Sequence, residues 1–153
     1  MVPMHEIKIM NIVPQKAIAI REKVKVKDIP QTMGQIFGEL MPVVQSEVRC
    51  IGPPFAYYDS WSDDETDMVV GFPIAGEGVT KGRIRPFELP AARAAVAMHI
   101  GPYDKLAESY REMMEWMKAN GHQPAGFMWE EYLNSPDEVS PDKLMTRLIW
   151  PID

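Results

Sequence analysis

Apolar residues recur at steps of three and four between Pro30 and Glu47. Met33, Ile36, Phe37, Leu40, Met41 and Val44 form one stripe, which predicts an amphipathic helix. Pro30 suits its first turn, where an amide hydrogen is not needed. Pro42 lies inside the pattern and predicts a kink or an early end near Met41. A second stripe runs through Tyr103, Leu106, Ala107, Tyr110, Met113, Met114 and Met117. It predicts a helix from Pro102 to Asn120, closed by Asn120-Gly121 as a left-handed cap. Around these helices the pattern changes to short strand-like runs: Glu6–Val13, Lys16–Val26, Phe55–Trp61, Met68–Ile74, Arg83–Leu89, Arg93–His99, Phe127–Leu133 and Met145–Ile152. Ser140-Pro141 predicts one helical turn before the last strand.

The elements fall into two sets, each reading strand–strand–helix–strand–strand. Gly76-Glu77-Gly78 lies between them as a linker or hairpin. Several features repeat at similar offsets. Pro14 and Pro90, each ahead of an alanine-rich strand, are 76 positions apart. Phe72-Pro73-Ile74 recurs as Trp150-Pro151-Ile152 at an offset of 78, and the helix-opening prolines differ by 72. The expected fold is therefore α+β, a single domain over 1–153 with duplicated ββαββ halves, at about 1–76 and about 79–153. Antiparallel sheets, two main helices and pseudo-two-fold symmetry would leave a central pocket between the halves, a common place for a ligand.

Composition narrows the function classes. A net charge of -6 removes the basic footprint of a generic nucleic-acid binder. Lys16, Lys23, Lys25 and Lys27 alternate along a strand and read as a solvated face or charged edge. The acids Asp59, Asp63, Asp64, Glu65 and Asp67 form a loop that is solvated, or that could mimic nucleic acid towards a protein partner. The lone cysteine, Cys50, cannot pair within the chain, so a reducing cytoplasm is the expected compartment and a buried structural thiol the expected role. No apolar run reaches membrane-spanning length, and few His and Cys argue against a structural metal site. No cofactor or metal is expected. Twelve methionines suit an adaptable core and a permissive binding surface alike.

The richest run for chemistry is Met128-Trp129-Glu130-Glu131-Tyr132-Leu133. Successive side chains on a strand point to opposite faces, so Glu130 shares a face with Met128 and Tyr132. One of the adjacent glutamates must point inward if both faces are differentiated; on an edge strand both would reach water. An inward carboxylate must be paired, hydrogen-bonded or protonated. Tyr132 is placed to donate to Glu130.

Several stretches resemble GyrI-like (gyrase-inhibitor-like) domains, also known as the effector-binding domain of multidrug-responsive transcription regulators. They are His99-Ile100-Gly101-Pro102-Tyr103-Asp104-Lys105-Leu106 with its helix, Trp129-Glu130-Glu131-Tyr132-Leu133-Asn134-Ser135-Pro136, and Leu148-Ile149-Trp150-Pro151-Ile152. The resemblance implies a duplicated α+β fold that binds lipophilic, often aromatic and cationic compounds. It places the anchoring glutamate at Glu130 and keeps the family's tyrosine at Tyr132. Some stand-alone members resemble hydrolases of cyclopropane-bearing DNA-alkylating toxins that use a glutamate and a tyrosine, which here are Glu130 and Tyr132. Others bind DNA gyrase. A related fold binds haem, for which Met98 and His99 are candidates by residue type alone. The chain opens directly on strand residues, so neither a DNA-binding domain nor direct nucleic-acid contact is expected.

The leading expectation is a ligand-binding module. Glu130 would supply charge or an acceptor, and Tyr132, Tyr58, Phe72, Trp150 and Tyr103 flat apolar contact. Each ring is also an ordinary core residue by type, Phe72 and Trp150 above all. Cation–π attraction to such rings is worth about 0.5–2 kcal/mol. Tyr58 is preferred over Tyr57 because it precedes Glu130 by 72 positions, the same offset as the helix-opening prolines. The partners expected are a small hydrophobic molecule, a transcription regulator or gyrase, and a second copy of the chain; no membrane partner is expected. The alternatives are a hydrolase acting through Glu130 and Tyr132, and a protein-interaction module.

Overall fold

The computed structural model describes residues 6–153. Among these residues, nine strands and two α-helices form two compact units of α+β character. One unit is Val13–Ala91; the other joins the N-terminal strand to Ala92–Asp153.

In the unit Val13–Ala91, β2 (Gln15–Lys25) pairs antiparallel with both β5 (Glu65–Ala75) and β6 (Arg85–Leu89). Strand β5 also pairs with β4 (Phe55–Trp61) and with the two-residue β3 (Arg49–Cys50). A helical turn, Val26–Asp28, leads into α1 (Ile29–Ser46). Thr32, Ile36, Leu40 and Val43 bury the face of α1 that packs on β2 and β5. The register places Ile18, Ile20, Phe72, Val70, Ala56 and Tyr58 on one sheet face. Phe37 of α1 meets Phe72 edge-on at 5.6 Å. The opposite face carries Tyr57, which meets Phe87 edge-on at 5.3 Å. Ala17 to Ile20 are all buried, so β2 lost its alternation because both of its faces are covered.

The other unit is built on β7 (Ala92–Ile100), β8 (Met128–Tyr132) and β9 (Met145–Pro151). Strand β1 (Lys8–Ile12) pairs with β7, β7 with β9, and β9 with β8, all antiparallel. A helical turn, Tyr103–Lys105, opens α2 (Leu106–Ala119). Ser109, Met113 and Met117 are its buried residues, and the helix packs on β7. Gly121, at φ +74, ends α2 in the left-handed region, and the His122 amide donates to the Met117 carbonyl at 2.8 Å. The turn expected at Ser140-Pro141 is the helical turn Pro141–Lys143.

Sequence repeats and compact units are different divisions of the chain. Strand β1 belongs with β7, and β6 with β2, so Gly76-Glu77-Gly78 joins β5 to β6 inside one unit. Pro42 does not end α1, which runs on to Ser46. Pro42 and Gly38 are exposed, so the Gly38 carbonyl that loses its amide partner faces water. The stripes are also narrower than the patterns suggested: Met41 and Met114 are exposed. Lys16 pairs with Glu77, and Arg21 with both Asp59 and Asp67, so two acids of the acidic loop are already neutralised.

Cys50 contradicts the expectation of a buried thiol. It lies on the short edge strand β3, exposed, with its thiol against the Gly52 carbonyl at 3.3 Å. In native protein this thiol should therefore titrate with a disulfide reagent to completion. A requirement for denaturant would contradict its placement. No helix among the described residues is long and apolar enough to cross a membrane.

Candidate functional site

The register of β7, β9 and β8 sets one row of side chains towards α2. Glu130 lies opposite Leu148, and Tyr132 opposite Thr146. On the other side of β9, Leu148 faces Ala97, Thr146 faces His99 and Trp150 faces Ala95. These residues share one face by parity. The adjacent Glu131 points the other way. It pairs with Arg147 at 2.9 Å and accepts from the Trp129 indole at 3.4 Å. Of the two glutamates, Glu130 is therefore the inward one.

Glu130 is buried at 4% exposure. Tyr132 donates to its Oε1 at 2.7 Å, and the Tyr110 hydroxyl donates to Oε2. Among the described residues no lysine or arginine forms an ion pair with it. Burial pushes the carboxyl above its usual range; the bonds from Tyr110 and Tyr132 and the nearby His99 ring pull only partly the other way. Tyr103 is raised too, first by burial and then by the charge of Glu130.

Four rings stand around this carboxyl. Tyr103 meets Tyr132 edge-on at 5.9 Å, and Tyr110 meets Trp150 edge-on at 5.9 Å. Trp150 is held by its indole N–H, which donates to the Ala125 carbonyl at 3.0 Å. Helix entry is fixed by His99. Its Nε2 donates to the Pro102 carbonyl at 3.0 Å, and its Nδ1 meets the Ser109 hydroxyl at 2.6 Å. A carbonyl only accepts, so Nε2 carries a proton; in the neutral ring Ser109 donates to Nδ1. Neither ring nitrogen is left for an axial metal bond. Met98 points to the opposite face of β7, so the two haem candidates do not converge.

Of the residues singled out in the sequence, Glu130, Tyr132, Tyr103 and Trp150 come together in this unit. Tyr58 and Phe72 belong to the other unit, where both share the sheet face that packs against α1. The sequence placed Tyr110 only on the apolar stripe of the second helix. Its signal was a hydroxyl-tipped ring in the middle of the stripe, between Ala107 and Met113. Ser109 and Thr146 carried no comparable signal.

The Glu130 carboxyl has a consequence for stability. A folded-state pKa above the unfolded value means that the folded chain holds the proton more tightly. Stability then falls as pH rises from the ordinary carboxyl range through the raised value. Glu130→Gln removes that loss. Its melting temperature should exceed that of the unaltered protein at neutral pH, and the difference should shrink on acidification. Parallel melting curves across pH would contradict the burial of a titrating carboxyl.

A buried carboxyl ringed by aromatic side chains, on an α+β frame, is the architecture of a small-molecule binding domain. The chain belongs to the GyrI-like small molecule binding domain family, whose model matches residues 5–153. Similar solved structures include EcmrR in an EcmrR–DNA complex, at 20% identity and TM-score 0.85. That match covers 97% of this chain and 57% of the other, so the chain spans little more than half of that protein. The separate EcmrR C-terminal domain matches at 21% identity and TM-score 0.79, with 97% of each chain covered. A protein solved bound to tetraphenylphosphonium, SAV2435, matches at 11% identity and TM-score 0.72, over 97% of this chain and 94% of that one. A hydrolase from Listeria innocua matches at 14% identity and TM-score 0.68, covering 99% and 93%. At these identities the neighbours establish the fold.

Proposed function

We propose that the chain binds a lipophilic, aromatic cation, with Glu130 as the counter-charge and Tyr103, Tyr110, Tyr132 and Trp150 as flat contacts. The observation that carries this reading is a buried carboxyl bonded by two phenols, with no lysine or arginine ion-paired to it among the described residues. A carboxylate so placed lacks a counter-ion, and a ligand cation supplies one. A cation without N–H groups can still be held by the ring faces. The tetraphenylphosphonium bound by SAV2435 is a ligand of this chemistry on the same fold. The duplicated halves read from the sequence belong to this proposal as its architecture. The test is titration with tetraphenylphosphonium followed by tryptophan fluorescence. Saturable binding is the expected result; no saturable signal with this or other aromatic cations would end the proposal.

A second reading uses the same groups as an enzyme. Glu130, its carboxyl pushed upward by burial, would act as general base or acid, with the Tyr132 phenol beside it. Hydrolases are among the neighbours. Hydrolysis of a cyclopropane-bearing toxin, lost in Glu130→Gln, would support it, and an unchanged substrate after long incubation would remove it.

A further inference from the structure

Among the described residues, one buried polar side chain on the Glu130 face stands without a hydrogen-bond partner. Glu130 has Tyr110 and Tyr132; His99 has Ser109 and Pro102; the Trp150 indole has Ala125. Thr146 is fully buried at 0% exposure, and its hydroxyl has no hydrogen-bond partner among the described residues. Strand register places it between Tyr132 and His99, on the face that carries Glu130. A buried hydroxyl left unpaired is unfavourable, and valine would fill the same volume without it. Among the described residues the hydroxyl therefore adds no hydrogen bond to the fold.

We propose that Thr146 is a specificity-determining contact of the site, pairing with a hydrogen-bonding group carried by the bound cation beside its charge. This rests on the ligand-binding reading above. Glu130 is buried, so a ligand that reaches it must displace a neighbouring side chain. Tyr132 is the half-buried neighbour that both covers Glu130 and lies opposite Thr146. When Tyr132 turns aside, the carboxylate and the Thr146 hydroxyl are uncovered together. The site then distinguishes among cations of equal charge. It favours an aromatic amine with free N–H groups, which can donate to Thr146 Oγ1, over a quaternary onium ion or a dye whose ring amines are fully alkylated, neither of which has any.

The test compares two dyes on the unaltered protein, Thr146→Val and Thr146→Ser. One is a methylacridinium with two free amino groups; the other is the same ring and charge with both amines dimethylated. Thr146→Val should weaken binding of the amino dye about three- to tenfold, the worth of one hydrogen bond, and leave the dimethylated dye unchanged. Thr146→Ser should keep the preference. The melting temperature of Thr146→Val should not fall, which separates a lost contact from a damaged fold. An equal effect on both dyes, or none on the amino dye, would overturn the proposal. If both dyes bind and need Glu130 but the amino dye is indifferent to Thr146→Val, the ligand-binding reading stands while this one fails. If neither dye nor tetraphenylphosphonium binds the unaltered protein, both fall.

Discussion

Glu130→Gln is expected to weaken binding of tetraphenylphosphonium by about 30-fold or more. Removing one member of a buried charge pair typically costs about 2 kcal/mol or above, and 2 kcal/mol corresponds to about that factor. The amide keeps the shape of the side chain, and its carbonyl oxygen still accepts from one phenol. What it loses is the charge. A neutral aromatic ligand of similar size should lose far less. The substitution should also stabilise the free protein at neutral pH, because it removes a carboxylate that burial disfavours. Weaker binding in a more stable protein cannot be put down to unfolding. Isothermal titration of the two proteins with charged and neutral ligands would decide it; equal losses for both ligands would remove the charge from the account.

Gly71→Ala should be the most damaging exchange of a small residue in the unit Val13–Ala91. Gly71 lies in the middle of β5, paired on one side with Ala19 and on the other with Phe55. A Cβ there would stand 2.1 Å from the Ile18 carbonyl oxygen and 2.7 Å from the Ala19 Cβ. Neither neighbour is the end of a flexible side chain, so the strands themselves must separate. Overpacking of this kind costs about 3 kcal/mol or more when the backbone cannot give way. For a chain of this size that lowers the melting temperature by roughly 6 °C or more. A melt within a degree of the unaltered protein would contradict the register of β2 on β5.

The two helices were legible because each obeys one period. The stripe of α2, its opening proline and its Asn-Gly close are local signals, and the helix lies where they put it. Phe55–Trp61 was likewise bounded by proline and by acids. The failures have a common physical origin, since local pattern does not record which element lies against a residue. Cys50 looked buried by type, yet its strand is a two-residue edge. Pro42 looked like a helix stop, yet the carbonyl it deprives faces solvent. Met41 and Met114 matched the helical period but lie at the stripe margins. The pairing of β1 with β7, and of β6 with β2, joins segments distant in sequence and has no local signature.

The site was legible for a similar reason and only in part. Parity along β8 put Glu130 and Tyr132 on one face, and their hydrogen bond follows from that spacing. Parity left open which glutamate points inward. Arg147, opposite Glu131 on β9, settles it by giving the outward carboxylate a partner at the surface. Tyr110 and Thr146 reach the same carboxyl face from a helix and from a different strand. Their roles became visible only once cross-strand register and helix packing were known.

A crystal structure of the protein with tetraphenylphosphonium bound tests the central claim most directly. The account predicts the phosphorus within about 6 Å of an aromatic ring face and close to the Glu130 carboxylate, with the Tyr132 hydroxyl turned away from it. A cation seated elsewhere, with Tyr110 and Tyr132 still bonded to Glu130, would contradict the claim.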